Sequence, residues 1–396
     1  MQILAQHGYG EGEKVSRGLE HGLLDGVVIG PKNIRLSALK GKIDGWEKNS
    51  PQARILFDPQ YYATVVAQEE GARLGYLVSD YSDYFSPKTY KDLRRERNIR
   101  DELNKALSFQ LENLKLSEAI VPGIMIQDGL HSESSSIAKN FLEIGAEEAK
   151  ESGNDAFLTL ALGQSCFREM SALVDFVDEV TGFDLPVKGI YLLVETSRHL
   201  GANPWYIPEI LKGRMYLNYA FAQAGFEVIN GFSMFSSPFL SAVGATGISC
   251  GWFDTLRYFS LDPFRASVGG GHRPNRRYLS KALWSRLDLA TIAPDLGRNH
   301  WIMNEYSGDS RFESGEADEC DEALQHWHAL QVMSESILNQ QGVSARLQFL
   351  WDSLNQAEIH RSHLPALSLP KFKDQIDGCR TALRGFCELA ELPLSL

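Results

Sequence analysis

The sequence predicts an α/β fold, namely a (β/α)8 TIM-type barrel with a C-terminal helical extension. Eight short apolar runs alternate with amphipathic helical stretches over residues 1–265. This alternation is typical of parallel strands joined by crossover helices. The number of units and the length of the region match the usual size of such a barrel. From residue 314 onward the pattern is helical only.

The predicted strands are apolar runs that end at turn-forming or polar residues. They span residues 2–7, 25–29, 53–57, 119–126, 156–162, 189–194, 226–229 and 247–250. Helical spacing between them appears at residues 12–22, 34–46, 137–151, 169–180 and 206–224. A doubly wound open sheet is the rival fold, and it usually carries a GxGxxG turn after its first strand. The glycine-rich residues 7–12 lack that spacing, which favours the barrel.

The chain divides into three predicted regions. Residues 1–265 form the barrel, with a rim insert at about 80–116 that contains a charged helix. Long segments of this kind sit on the catalytic rim and often form lids, although a solvated helix is the alternative interpretation. Residues 266–313 are expected to be a basic linker rich in glycine and arginine, and residues 314–396 a helical C-terminal region.

Composition limits the class of protein and its partners. The 39 basic and 51 acidic residues give a net charge of −12, with 43% hydrophobic residues, so disorder, collagen and coiled coil are excluded as the main state. Net acidity argues against broad charge-driven binding to nucleic acid or an anionic membrane, but it leaves a local basic patch open.

The cysteines and the apolar segments bear on location. Five widely spaced cysteines without a CxxC pair predict free thiols in a reducing compartment. The N-terminus has no secretory signal, and the uncharged stretch 228–253 is broken by glycines and a proline. We therefore expect a cytoplasmic protein without a membrane partner.

Four acidic residues follow predicted strands and are the candidate catalytic residues. In a barrel the carboxyl ends of all strands meet at one mouth, where chemistry takes place. Carboxylates brought together there repel, so one of them should hold a proton near neutral pH, which suits acid–base or nucleophilic work on a glycosidic bond. Each acid also has a structural alternative as a turn or helix-capping residue. The four are Asp58, Asp128, Glu195 and Asp254.

Other polar residues at strand ends are candidates for substrate binding. They are Gln127, Gln164, Arg198 and Asn230. A basic stretch at 272–277 follows three glycines and could hold a phosphate or nucleic acid through Arg273, Arg276 and Arg277. The alternative is a linker whose arginines pair with nearby acids. Neither a metal site nor a cofactor is predicted, because P-loop and HExxH motifs are missing.

Several short phrases can be compared with a known family. Residues 124–128 (Ile-Met-Ile-Gln-Asp) form an apolar run ending in an aspartate, and residues 162–164 read Leu-Gly-Gln. Residues 237–240 and 247–254 contain Ser-Pro-Phe-Leu and a final Phe-Asp. These short segments, over about residues 50–258, resemble segments of the tRNA-guanine transglycosylase barrel superfamily in order and in sequence. The glutamine-glycine strand end of that family is in reverse order here.

That resemblance implies roles for three of the acids. Asp254 would be the nucleophile, Asp58 the general acid/base and Asp128 the residue that contacts the base. The sequence departs from the family in two ways. The glycine-serine phrase around the third-strand acid is missing, and the zinc site of three cysteines and one histidine has no counterpart, because Cys320, Cys379 and Cys387 are too far apart.

Two functions from different classes follow. The first is an enzyme that exchanges or hydrolyses a glycosidic bond of a nucleoside, nucleotide or nucleic acid. The second is a catalytically silent barrel that serves as a protein-binding subunit of a larger assembly, with the C-terminal helices as its contact surface. If Asp58, Asp128 and Asp254 share a pocket, the enzyme is favoured. A mouth plugged by aromatic side chains favours the scaffold.

Overall fold

The computed structural model describes residues 1–196, 207–266, 276–289, 300–364 and 370–395. Its centre is a nearly closed barrel of eight parallel strands surrounded by helices, which confirms the predicted fold class. The strand order is β3-β2-β1-β9-β8-β7-β6-β4, and a short ninth strand, β5, also pairs with β6. The strands are β1 (Gln2–Gln6), β2 (Gly26–Ile29), β3 (Arg54–Phe57), β4 (Glu118–Val121), β5 (Met125–Ile126), β6 (Asp155–Leu162), β7 (Gly189–Val194), β8 (Glu227–Asn230) and β9 (Gly247–Cys250).

The barrel strands are buried beyond their first residues and mostly apolar, because helices cover the outside and side chains fill the inside. One predicted strand, 119–126, is wrong in its extent, since it is divided into β4 and β5. Pro122 lies between the two and has no N–H to give to a ladder. At Gly123 a Cβ atom would lie 2.3 Å from the backbone oxygen of Thr159, so the chain passes too close for any side chain.

Helices join the strands around the barrel. They are α1 (Lys14–Glu20), α2 (Leu36–Asn49), α3 (Glu96–Ser108), α4 (Glu133–Ser152), α5 (Met170–Thr181), α6 (Pro208–Gln223) and the short α7 (Ser237–Ala242). Local chemistry sets their ends. The Ser132 hydroxyl accepts the Ser135 N–H at the start of α4, and Gly153, at φ 69°, ends it in the left-handed conformation.

The one open seam of the barrel lies between β3 and β4. The side-chain amide of Gln110 occupies the open edge of β4, where it bonds both the N–H and the C=O of Ile120 at 2.9 Å. At the amino ends of the same strands, Arg54 makes a two-pronged ion pair with Glu118, at 2.6 and 2.8 Å. These contacts satisfy the edge and hold the seam together without a continuous ladder.

The rim insert packs against the barrel wall rather than lying in solvent. Tyr81 and Tyr84 are fully buried, and their rings contact those of Phe57 and Phe109 at 5.0 to 6.1 Å. The charged helix α3 follows and lies against α4. The aromatic residues therefore extend the apolar core outward from β3.

The predicted linker 266–313 contains regular structure where it is described. Two strands, β10 (Arg277–Ser280) and β11 (Ser285–Asp288), pair as an antiparallel hairpin. Tyr278, Leu279 and Leu287 of the hairpin are buried. The sequence does not reveal these strands because arginines interrupt their apolar pattern. The side chain of Arg286 donates to Glu322 on a neighbouring helix.

Four C-terminal helices complete the fold: α8 (Asp309–Glu313), α9 (Glu319–Leu338), α10 (Val343–Ser362) and α11 (Pro370–Leu389). Helix α9 joins them to the barrel. Its Gln325 side chain bonds the backbone of Leu279 in the hairpin, and its Trp327 Nε1 donates to the carbonyl of Cys250 at the end of β9. Among the described residues, no helix has the length and apolar character required to cross a bilayer.

Candidate active site

Asp58 lies inside the barrel mouth, directly after β3, with 1% of its surface exposed. Its Oδ1 accepts the backbone N–H of Gln60 at 2.9 Å, and its Oδ2 accepts the Tyr62 hydroxyl at 2.9 Å. Burial raises the pKa of Asp58 to about 6, because these hydrogen bonds offset only part of the cost of removing a carboxylate from water. The side chain can therefore hold or release a proton near neutral pH.

A polar layer crosses the barrel interior beside Asp58. The Tyr191 hydroxyl, from β7, lies 3.3 Å from Asp58 Oδ2 and 3.4 Å from Gln6 Oε1, so its single hydrogen serves one of these oxygens at a time. Gln6 Oε1 also accepts the Ser249 hydroxyl at 2.5 Å. This arrangement turns Gln6 Nε2 away, and that buried amide has no partner among the described residues. The layer links β1, β7 and β9 to the acid after β3.

Aromatic rings cover Asp58 on the mouth side. Tyr62 meets Phe259 edge-on, with ring centroids 4.9 Å apart, and Phe264 at 6.0 Å. Phe232, which follows β8, meets Phe259 at 5.6 Å. All four rings are buried. In this structure a substrate would reach Asp58 only after part of this cover has moved.

A second group of predicted residues meets at the ends of β5, β6 and β7. A cavity of about 210 Å³ lies there, and exposed Asp128 is on its wall. Other lining residues are His131, Ser165, Cys166, Arg168 and Glu169. The Gln127 carbonyl accepts the Ser165 hydroxyl, and the Gln164 side-chain nitrogen is buried without a partner among the described residues. The structure thus brings Gln127, Asp128 and Gln164 to one part of the rim.

Glu195 follows β7 and borders the same region. It is half-buried and bridges to the backbone of Phe259. Burial, with Asp262 nearby, raises the pKa of Glu195, although Arg265 and the backbone N–H of Gln164 oppose the shift. Glu195 at the rim therefore binds a proton more tightly than a solvent-exposed glutamate does.

Asp254 occupies a different environment from the other acids. Its Oδ1 accepts Nη1 of Arg286 at 2.6 Å and lies 3.6 Å from Nη1 of Arg257. Burial opposes ionisation, but the two arginines outweigh it and lower the pKa of Asp254 to about 2. Asp254 and Asp58 share no hydrogen-bond partner among the described residues, and their different partners shift the two pKa values in opposite directions.

The remaining predicted site residues have structural partners or lie outside the described residues. Asn230 is fully buried and exchanges side-chain amide hydrogen bonds with Asn218 of α6, at 2.6 and 3.1 Å. Arg276 donates to Glu319 at 3.4 Å, and the backbone N–H of Arg277 donates to Glu322 at 3.4 Å. Arg198 and Arg273 lie outside the described residues.

Sequence reasoning missed the two tyrosines that hold Asp58. Tyr62 lies four residues after Asp58 in a mostly apolar run, and Tyr191 lies in the middle of an apolar strand. Alternation along β7 could have indicated that Tyr191 points inward, because a tyrosine inside a barrel needs a partner for its hydroxyl.

No protein-family model matches this chain, and no curated protein matches it significantly. Within the described ranges there is no group of three His, Cys, Asp or Glu side chains that could hold a metal ion. The function must therefore be argued from the side chains in the barrel mouth.

Proposed function

We propose that the chain is a barrel enzyme that hydrolyses or exchanges a glycosidic bond of a nucleoside, nucleotide or nucleic acid. The observation that carries the proposal is Asp58, a carboxyl with a pKa of about 6 inside the mouth of the barrel. A carboxyl with a pKa near neutral pH can act as a general acid, and the departing base of a glycosidic bond requires a proton.

In this mechanism the protonated Asp58 gives its proton to the leaving base as the bond to the sugar breaks. Water, or an incoming base in the exchange reaction, attacks the sugar carbon and returns a proton to Asp58. Between these two proton transfers Tyr62 and Tyr191 stabilise the Asp58 carboxylate by donating to Oδ2. Asp128, exposed on the rim cavity, is assigned to contact the base, as the family resemblance implies.

The proposal does not depend on Asp254 as nucleophile. The low pKa of Asp254 keeps it ionised, as a nucleophile requires. Its carboxylate, however, is ion-paired with Arg286 and Arg257. A carboxylate engaged by two guanidinium groups is a weak nucleophile because its electron pairs are already stabilised. The nucleophilic role of Asp254 stays a prediction from the resemblance. A cytoplasmic location also belongs to the proposal, since a reducing compartment suits five free thiols.

A second candidate function is supported by the aromatic cover. Phe232, Phe259 and Phe264, together with Tyr62, close the mouth above Asp58. This is the arrangement expected of a silent barrel that acts as a protein-binding subunit. Ile359 of α10, with 53% of its surface exposed, offers an apolar contact on the C-terminal helices.

The two candidates are separated by a direct assay. Purified protein is incubated with nucleosides, nucleotides, RNA and DNA, with and without isotope-labelled bases, and released or incorporated base is measured by mass spectrometry. We expect release or exchange by the wild type, and Asp58→Asn should lower the rate by about 10² to 10⁴-fold.

The matched control is Asp309→Asn. Asp309 also accepts a tyrosine hydroxyl, that of Tyr278 at 2.8 Å, and burial raises its pKa, but it lies outside the barrel. This variant should keep the wild-type rate. A folded wild type that releases and exchanges no base from any of these substrates would reject the enzyme and favour the scaffold.

A further inference from the structure

Arg214 is a buried cation without a counter-charge among the described residues. It lies in α6, and 4% of its surface is exposed. Its Nη2 donates to the Ser233 hydroxyl, and its Nε has no partner among the described residues. Burial lowers the pKa of Arg214 to about 10, and no nearby carboxylate opposes that shift. The adjoining stretch 197–206 contains no Asp or Glu in its sequence.

Buried serines follow the carboxyl end of β8, and the first of them, Ser233, bonds this guanidinium. Ser233, Ser236 and Ser237 follow the strand and are all buried. The Ser237 hydroxyl, like Arg214 Nε, has no partner among the described residues. Several donors are therefore buried after one barrel strand, and part of their bonding capacity is unused.

The same residues connect to the polar layer around Asp58. The Ser233 N–H donates to the carbonyl of Ser249 at 2.7 Å, and the Ser249 hydroxyl donates to Gln6. Gln6 in turn lies 3.4 Å from the Tyr191 hydroxyl, which contacts Asp58. Arg214 is thus linked through Ser233, Ser249 and Gln6 to the polar layer around Asp58.

Two other buried arginines of this protein, Arg257 and Arg286, differ from Arg214 because each has carboxylate counter-charges. Arg257 lies 3.5 Å from Glu322 and 3.6 Å from Asp254, and Arg286 bonds the same two acids. An unpaired buried charge is costly, and folded proteins offset it with an opposite charge. Arg214 has no such charge among the described residues, so an anion from outside the chain can supply it.

We propose that Arg214, with the serines after β8, binds a phosphate group. A phosphate has several acceptor oxygens, which matches a guanidinium fork together with hydroxyl donors better than a carboxylate does. This assignment rests on the proposed function: the phosphate is the one carried by a nucleotide or nucleic-acid substrate. The reacting glycosidic bond of that substrate then lies toward Asp58. A free inorganic phosphate has the same chemistry and is distinguished experimentally.

The first experiment tests the anion site without any catalytic assay. Thermal unfolding of the full chain is followed in a concentration series of sodium phosphate, against sodium chloride at equal ionic strength. A ligand that binds the folded state raises the melting temperature with the logarithm of its concentration. We expect this increase for the wild type and at least about a ten-fold weaker phosphate affinity for Arg214→Met.

Arg214→Met keeps the apolar stem and removes a buried charge, so the variant should fold without phosphate. The control is Arg94→Met, since Arg94 is exposed and pairs with Glu133 on the surface. It should respond to phosphate like the wild type. A wild type that phosphate does not stabilise, or an equal response from Arg214→Met, overturns the proposal.

The second experiment identifies the source of the phosphate. Binding of the four nucleoside monophosphates and of the corresponding nucleosides is measured by calorimetry. If the phosphate belongs to the substrate, at least one monophosphate binds about ten-fold or more tightly than its nucleoside, and Arg214→Met removes the difference. If no monophosphate binds more tightly than its nucleoside, or if Arg214→Met keeps that difference in affinity, the phosphate does not belong to the substrate. Failure of base release in the earlier assay, with this difference intact, would reject the proposed reaction but retain the site.

Discussion

Asp58 and Asp254 both follow strands of one barrel, yet their surroundings drive them in opposite directions. Asp58 is enclosed by tyrosine hydroxyls and aromatic rings, and burial raises its pKa to about 6. Burial also acts on Asp254, but Arg286 and Arg257 lower its pKa to about 2. One region can exchange a proton near neutral pH, whereas the other carries a fixed charge.

The comparison separates a site that is organised for chemistry from one that is organised for stability. Hydroxyl donors satisfy Asp58 in either protonation state, because a tyrosine can turn its hydrogen or accept one. The arginines beside Asp254 bind only its charged form. They also tie the end of β9 to β11 and α9, since Arg286 bonds Asp254 and Glu322 together. Asp254 therefore fastens the C-terminal part to the barrel.

The largest expected effect on the free energy of unfolding comes from removing Arg286, which pairs with Asp254. Arg286→Met leaves Asp254 and Glu322 without their shortest ion pairs, at 2.6 and 3.0 Å. We expect a loss of about 3 to 5 kcal/mol in the free energy of unfolding, because breaking a buried pair leaves an uncompensated charge. Urea unfolding measures it. Arg276→Met, which removes a single 3.4 Å contact beside the same hairpin, should cost less than about 1 kcal/mol.

Asp58→Asn should instead raise the free energy of unfolding above pH 6. A folded-state pKa of about 6 against an unfolded value of 3.8 means that the folded protein binds the proton more tightly. The wild type therefore loses stability as the pH rises from about 4 through 6, by about 3 kcal/mol in total. The asparagine variant avoids this loss. Its free energy of unfolding should exceed that of the wild type at pH 8 and match it below pH 4; equal pH profiles would contradict the raised pKa.

Asp254→Asn should lower the free energy of unfolding, by less than Arg286→Met does. A depressed pKa stabilises the folded protein above the unfolded value of 3.8, and this stabilisation disappears as the pH falls toward 2. Since 31% of the side chain is exposed, solvent screening reduces the contribution to about 1 to 2 kcal/mol. The variant should be less stable than the wild type at pH 7, and a stabilised variant would show that the arginines do not dominate.

Asp128→Asn should leave stability nearly unchanged, because the side chain is exposed and lines the rim cavity. We expect less than about 0.5 kcal/mol in the free energy of unfolding. If Asp128 contacts the base of the substrate, the variant should raise KM for base release more than it lowers kcat. A rate and KM equal to those of the wild type would remove Asp128 from the site.

Much of the barrel could be predicted from local pattern. The predicted runs 189–194 and 247–250 agree with β7 and β9, because a strand buried on both faces is apolar at every position. The hairpin at 277–288 was not predicted, since its glycines and arginines suggested a basic linker. Whether an arginine meets solvent or an acid depends on α9, which begins more than thirty residues later.

The sequence by itself determined the parallel barrel, the helical C-terminal region and the acids that follow the strands. It also placed Asp58 at the mouth. Only the tertiary structure decided what each acid can do. Protonation depends on burial and on charges that act through space, and Asp254 meets Arg286 across 32 positions of chain, whereas Asp58 meets Tyr191 across 133. For the same reason the sequence does not reveal that Arg214 has no carboxylate partner among the described residues, since that is a property of the fold.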